Sequence, residues 1–244
     1  MNLLIDLGNS RLKWVTSNSH LIDTVQAISH QQLNQESLLN TWQTLEQPEN
    51  IAIACVTKRH SLSLVLFVVE QLWPNSRVII ANSLAYGYGV TNAYQHPEKL
   101  GVDRWLALIA THYYYPTTLA CIVDCGTAIT IDLLEANGKH LGGVICPGLT
   151  LMKQALSQGT ESLPFDTTRY PLQPANFTEA GIYSGTLLAA IGLIEQFSKQ
   201  QSSQPTIVLT GGDANLIANH LLANVIIDVN LVFKGLAIVI ENNL

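Results

Sequence analysis

The sequence predicts an α/β chain of two halves with mixed sheets, and three observations carry that prediction. Short apolar runs bounded by Gly, Asn or Pro alternate with longer stretches of helical spacing from one end to the other. Each half opens on closely spaced strand-like runs, a hairpin signature, before strands and helices alternate, which mixes antiparallel with parallel pairing. The junction Ile5-Asp6-Leu7-Gly8-Asn9-Ser10 returns as Val123-Asp124-Cys125-Gly126-Thr127-Ala128, at an offset of 118 residues. The expected halves are 1–115 and 116–244.

Asn2–Leu7 is an apolar run closed by Asp-x-Gly, and Ser10–Thr16 resumes with alternation, giving two strands and a tight turn. Leu21–Ile28 reads as a third strand. Leu38–Leu45 has helical spacing, Ile51–Val56 is a buried strand, and Ser61–Trp73 is a helix stopped by Pro74. Arg77–Ala81 is a short strand, 82–101 a loop, and Pro97–Tyr115 a helix with proline in its first turn. The second half restarts with strands at Leu119–Asp124, Thr127–Leu134 and Leu141–Cys146, then a helix over Leu149–Gln158. Gly159–Phe177 carries three prolines and little periodicity, the mark of a long functional loop. Thr178–Gln200 is helical, Thr206–Thr210 a strand ending in Gly-Gly, Ala214–Leu222 a helix, Val225–Val229 a strand, and Leu231–Asn242 the last helix.

Composition bounds what such a chain does. Of 244 residues only 12% are charged, about half of the roughly 25% usual for soluble domains. The 32 Asn and Gln side chains supply a surface that is amide rather than ionic. With 48% hydrophobic residues the chain is not disordered, and its net charge of -6 opposes phosphate contacts along a nucleic acid. Four cysteines without a Cys-x-x-Cys pair exclude a disulfide framework and read as buried thiols of a reducing compartment. Asp6 comes too early for a signal peptide. The uncharged stretch Trp105–Val123 has the length of a membrane span, but His112, Pro116 and its threonines divide it into helix, turn and strand. The expectation is a cytoplasmic protein that binds neither nucleic acid nor membrane.

The repeated turn suits a nucleotide phosphate site. Glycine lets backbone turn sharply and approach an anion, successive N–H groups bind phosphate oxygens, and a strand-end carboxylate holds a cation or its water shell. A third junction, Thr210-Gly211-Gly212-Asp213, suits an adenosine lying on the backbone. Two Asp-x-Gly copies at equivalent places, with this third, point to a nucleotide cleft between twin domains. Neither a Gly-x-x-x-x-Gly-Lys-Ser/Thr loop nor a Gly-x-Gly-x-x-Gly turn after a strand is present.

The segments Asp6-Leu7-Gly8-Asn9-Ser10-Arg11-Leu12-Lys13-Trp14, Gly101-Val102-Asp103-Arg104-Trp105, Asp124–Ala128, Gly142–Gly148, Thr178–Ile182 and Thr210–Asp213 together resemble type III pantothenate kinase. The resemblance implies two ribonuclease-H-like halves around a nucleotide cleft, as in the actin, hexokinase and sugar-kinase superfamily. It also implies ATP-dependent phosphorylation of pantothenate, the first step toward coenzyme A, by a homodimer with magnesium and a monovalent cation (potassium or ammonium). Ser10 stands where many relatives carry Thr, and either supplies a hydroxyl.

Carried over residue by residue, the resemblance makes Asp103 the base, and an ordinary ionised carboxylate suffices for a loose phosphoryl-transfer transition state. Tyr94, Gly101, Val102, Arg104 and Thr178 would bind pantothenate, whose carboxylate, amide and hydroxyls suit Arg and Tyr. Asp6, Leu7, Gly8, Asn9, Ser10, Arg11, Leu12, Lys13 and Thr127 would bind ATP. Asp6 would reach magnesium through water, and Asp124 would hold the monovalent cation or help organise magnesium. Thr178 reads equally as a helix N-cap. The seven histidines, His20, His30, His60, His96, His112, His140 and His220, show no metal-ligand spacing and read as surface or loop residues. Trp14, Trp42, Trp73 and Trp105 read as packing residues. The other readings are a kinase of another small hydroxyl compound and a regulatory accessory protein of the same family.

Overall fold

The computed structural model describes residues 1–18, 21–57 and 59–243; His20 lies outside them. The chain forms two compact units, Met1–Tyr115 with Asn230–Leu244, and Pro116–Val229.

In the first unit, β1 (Asn2–Leu7), β2 (Arg11–Asn18), β3 (Leu21–Ile22), β4 (Gln26–Ser29), β5 (Asn50–Cys55) and β6 (Arg77–Ile80) form one sheet in the order β3-β2-β1-β5-β6, with β4 also paired to β2. β1 runs antiparallel to β2 and parallel to β5. Its continuous apolar run is explained by that central place: Leu3, Leu4 and Ile5 are wholly buried. The single strand expected over Leu21–Ile28 is thus two short ones.

The helix α1 (Gln35–Trp42) starts three residues before the Leu38 expected from periodicity, because Asn34 caps it. The Asn34 side chain accepts from the Ser37 N–H at 2.9 Å while the Ser37 hydroxyl accepts from the Asn34 N–H at 3.1 Å. With α2 (Arg59–Leu72) it covers the sheet. Trp14 meets Trp42 edge-on and Trp42 stacks on Trp73, with ring centres 5.9 and 6.1 Å apart. These rings are buried packing residues, as is Trp105.

The segment expected as one helix from Pro97 is broken. Pro97–Lys99 is a 3-10 turn, and α3 (Val102–Tyr114) begins only after Leu100, whose backbone is extended. Before it, β7 (Tyr86–Gly87) and β8 (Val90–Thr91) form a small hairpin inside the expected loop.

The second unit holds β9 (Leu119–Cys125), β10 (Ala128–Glu135), β11 (His140–Pro147), β12 (Thr206–Thr210) and β13 (Val225–Ile227), in the order β11-β10-β9-β12-β13. β9 pairs antiparallel with β10 and parallel with β12. With β3 and β4, which both pair with β2, counted as one interrupted third strand, both sheets run third-second-first-fourth-fifth. α4 (Leu149–Gly159), α5 (Thr178–Lys199) and α6 (Ala214–Ala218) complete the unit. α5 is long and apolar enough to cross a membrane by length and composition. Its Tyr183, Leu187, Ala190, Ile191 and Ile194, however, pack into the core against β9 and β12.

The last helix, α7 (Leu231–Glu241), was expected with the second half, yet it packs in the first unit against α3. Gly235 permits the approach: a Cβ there would lie 2.4 Å from the Leu106 carbonyl oxygen. His140, expected on the surface or in a loop, is buried, and its Nε2 lies 2.8 Å from the carboxylate of buried Asp132.

Candidate active site

The strand order gives both units the same local device, a carboxylate at the end of the first strand followed by a glycine turn into the second. In the first unit Asp6 lies opposite Lys13 on β2 and beside Ala54 on β5. The turn closes when the Gly8 N–H donates to the Arg11 carbonyl at 3.1 Å. In the second unit Asp124 lies opposite Thr130 and beside Thr210, and the Gly126 N–H donates to the Ala128 carbonyl at 3.1 Å.

The first turn is one residue longer, which changes the pairing read from a constant offset. Arg11 sits opposite Ser29 as Ala128 sits opposite Pro147. The His30 N–H donates to the Ser10 carbonyl at 3.1 Å, as the Gly148 N–H donates to that of Thr127 at 2.9 Å. Geometry therefore matches Ser10 with Thr127, one exposed hydroxyl in each turn, whereas the offset had set Asn9 against Thr127.

Three glycine junctions meet around the second turn. A Cβ on Gly148 would lie 2.2 Å from the Gly126 carbonyl oxygen, and one on Gly211 2.4 Å from Asp124 Oδ1. Gly211 also adopts φ +90°, a conformation glycine tolerates without strain. The Asp213 N–H donates to the Cys125 carbonyl at 3.0 Å, so the Thr-Gly-Gly-Asp junction is tied to the Asp124 turn. Burial raises the Asp213 carboxyl, while Arg169 and Lys153 act to lower it.

The expected substrate residues of the first unit also converge. Arg104, 5% exposed, donates from Nη1 to the Tyr94 hydroxyl at 2.7 Å, and its guanidinium carbon lies 5.5 Å from that ring's centre. Adjacent Asp103, in the first turn of α3, accepts the Arg104 N–H on Oδ1 at 2.8 Å. Gly101 leaves room for that carboxylate, since a Cβ there would lie 2.5 Å from Asp103 Oδ1. Burial pushes the Asp6 carboxyl up to about 6; Lys13 opposes the rise and the charge of Asp103 adds to it. Asp6 and Asp103 thus share one electrostatic neighbourhood.

Not every expected residue presents a side chain. Leu7 and Leu12 are wholly buried and Val102 is 7% exposed, so these three offer backbone only. Asn9, Ser10, Arg11 and Thr127 are exposed, and Lys13 is half-buried. Thr178 is exposed as the first residue of α5, whose N-cap is Phe177, so the capping alternative is not realised. Sequence reasoning missed His30, whose Nε2 reaches the Gly8 carbonyl at 2.8 Å. Its place one residue beyond the strand that pairs with Arg11 was the available signal, but it emerges only from the register.

Twin mixed sheets of one strand order, each with an aspartate-glycine turn behind its first strand, define a protein of the actin, hexokinase and sugar-kinase fold class. A solved protein from Sinorhizobium meliloti, named for 2-dehydro-3-deoxygalactonokinase, has this fold at TM-score 0.64 and 12% identity, covering 100% of this chain and 99% of its own. The sequence model of the type III pantothenate kinase family matches residues 2–200, and the chain belongs to that family. The type III pantothenate kinase of Dichelobacter nodosus is 35% identical over 239 residues, covering 97% of this chain and 96% of its own. A conserved Campylobacter jejuni protein, named for the Baf family of transcriptional activators, superposes at TM-score 0.66 with 26% identity, over 99% of this chain and 100% of its own. The activity is the ATP-dependent phosphorylation of pantothenate that opens coenzyme A biosynthesis.

Proposed function

We propose that Asp103 is the base of this phosphoryl transfer, accepting the proton of the pantothenate hydroxyl as the bond to phosphorus forms. The observation that carries the reading is the placement of its carboxylate. Oδ1 is fixed by the Arg104 N–H, Gly101 keeps the adjoining space clear, and the Tyr94–Arg104 pair stands on the same segment. With the attacking oxygen oriented, the γ-phosphorus of ATP is attacked, its bond to the β–γ bridging oxygen breaks, and ADP leaves. Positioning contributes more here than base strength because the transition state is loose. Tyr94, Gly101, Val102, Arg104 and Thr178 bind pantothenate in this reading, and the Arg104 guanidinium suits its carboxylate.

Gly8–Lys13 with Asp6 and Leu7 in the first unit, and Thr127 in the second, take the phosphates of ATP. Among the described residues no three His, Cys, Asp or Glu side chains gather as a metal cage. Asp6, a single carboxylate at the end of β1, fits magnesium carried largely by phosphate oxygens and water, with Asp6 touching the water shell. The reading of Asp124 as the holder of a monovalent cation, potassium or ammonium, is supported by its place at the Gly211 turn, where a Cβ would lie 2.4 Å from its Oδ1 and 2.6 Å from the Cys125 carbonyl oxygen. Such cations offset phosphate charge when bound. The working form in this reading is a cytoplasmic homodimer.

The test is Asp103→Asn. Turnover should fall about 10²–10⁴-fold, the usual worth of a positioned base, while ATP binding measured by calorimetry persists. A folded variant with near-normal turnover would remove Asp103 from the role.

A further inference from the structure

We infer that His30 is a positioning residue for ATP, holding the first phosphate turn in its anion-binding form; this rests on the reading of Gly8–Lys13 as the phosphate segment. Two bonds from the one residue reach the turn. The His30 N–H donates to the Ser10 carbonyl at 3.1 Å, and the ring Nε2 lies 2.8 Å from the Gly8 carbonyl. A carbonyl oxygen only accepts, so Nε2 carries a proton and donates.

The consequence follows from peptide geometry. In a planar trans peptide the C=O and the N–H point in opposite directions. Drawing the Gly8 carbonyl toward the half-buried His30 ring turns the N–H of the same peptide, that of Asn9, the other way. Asn9 and Ser10 are exposed, and in the inferred role that N–H is the donor offered to an arriving phosphate. Without the ring, the Gly8–Asn9 peptide has a glycine on one side and can flip cheaply, offering a carbonyl to the phosphate instead.

The second unit supports the inference independently. His30 and Gly148 are equivalent by register, each following the residue opposite the start of the second strand. At Gly148 the corresponding Gly126 carbonyl approaches so closely that a Cβ would lie 2.2 Å from its oxygen. Both units therefore restrain the same carbonyl, one by backbone packed against it and the other by an imidazole.

Three variants test this: His30→Ala, His30→Gln, whose amide places an N–H where Nε2 stands, and Ser10→Ala within the turn itself. Losing one hydrogen bond that organises the turn should raise the KM for ATP about 5- to 20-fold in His30→Ala. The kcat and the KM for pantothenate should stay within about threefold of the parent, and His30→Gln should recover most of the ATP effect. Direct ATP binding by calorimetry and thermal melting of the three proteins separate positioning from folding. The inference is overturned if His30→Ala leaves the KM for ATP unchanged while Ser10→Ala raises it. It is overturned too if His30→Gln is no better than His30→Ala, or if only the melting temperature moves. Should neither Ser10→Ala nor His30→Ala affect ATP, the phosphate reading of this turn falls and the inference with it.

Discussion

At the scale of single residues the site is a set of charges held at some cost. Asp6 shows it best, because its carboxyl is raised to about 6 by burial and by Asp103. An unfolded aspartate ionises near 3.9, so the folded form disfavours the charge. The stability this group contributes is full below about pH 4 and is lost as pH rises through about 6. Asp6→Asn should therefore stabilise the ligand-free protein at pH 7–8, by about 3 kcal/mol, while changing little at pH 4. Thermal melting across that range checks it, and parallel curves for parent and variant would contradict the assigned environment. The same substitution should abolish most activity, which separates the cost of the residue from its use. Residue identity along these segments was legible in the sequence, but burial was not. Leu7, Leu12 and Val102 share motifs with functional neighbours yet point into cores. His140 and Asp132 are eight positions apart and meet only because β10 and β11 fold together, with a register shift after Leu133.

At the scale of elements, periodicity located nearly every strand and helix but not where each one belongs. β1 and β12 appear with the expected bounds, Asn2–Leu7 and Thr206–Thr210, because buried central strands carry an unbroken apolar signal. The start of α3 was misplaced since Pro97 opens a 3-10 turn and Leu100 then extends the chain, leaving Gly101 as the N-cap. That break sets the Asp103 carboxylate in the first helical turn beside a residue with no Cβ. The placement of α7 on α3 depends on Gly235, a contact between segments far apart in sequence that no local pattern encodes. Gly235→Ala would press a methyl onto the Leu106 backbone, which cannot swing aside as a side chain would. We expect a loss of about 1–3 kcal/mol and a melting temperature lower by several degrees. An unchanged melting temperature would show that the helix pair has slack the geometry denies.

At the scale of the whole molecule, the repeat gives a chain of modest charge two equivalent turns that, in the proposed reading, take the phosphates of a highly anionic substrate. Each unit offers a carboxylate, a glycine turn and a hydroxyl, with Ser10 matching Thr127, and the constant offset seen in the sequence concealed that match by one residue. The repeat itself was legible because both turns must pass through glycine; the length difference was not, since only the hydrogen bonds reveal it. If both turns take the phosphates as proposed, the strand-end carboxylates Asp6 and Asp124 would repel a triphosphate in a partly desolvated setting unless cations compensate. We therefore expect potassium or ammonium to raise activity well above sodium at matched ionic strength and magnesium. Asp124→Asn should blunt that response and raise the ATP requirement, and equal rates in all three salts would give Asp124 another task. The central claim, that these residues together phosphorylate pantothenate, is tested most directly by coupled ADP release from the purified protein, run with pantothenate, with a panel of other small hydroxyl compounds, and with neither. The account predicts ADP release that depends on pantothenate, is weak with the panel, and collapses in Asp103→Asn; equal release without pantothenate, or a faster rate with another alcohol, would contradict it.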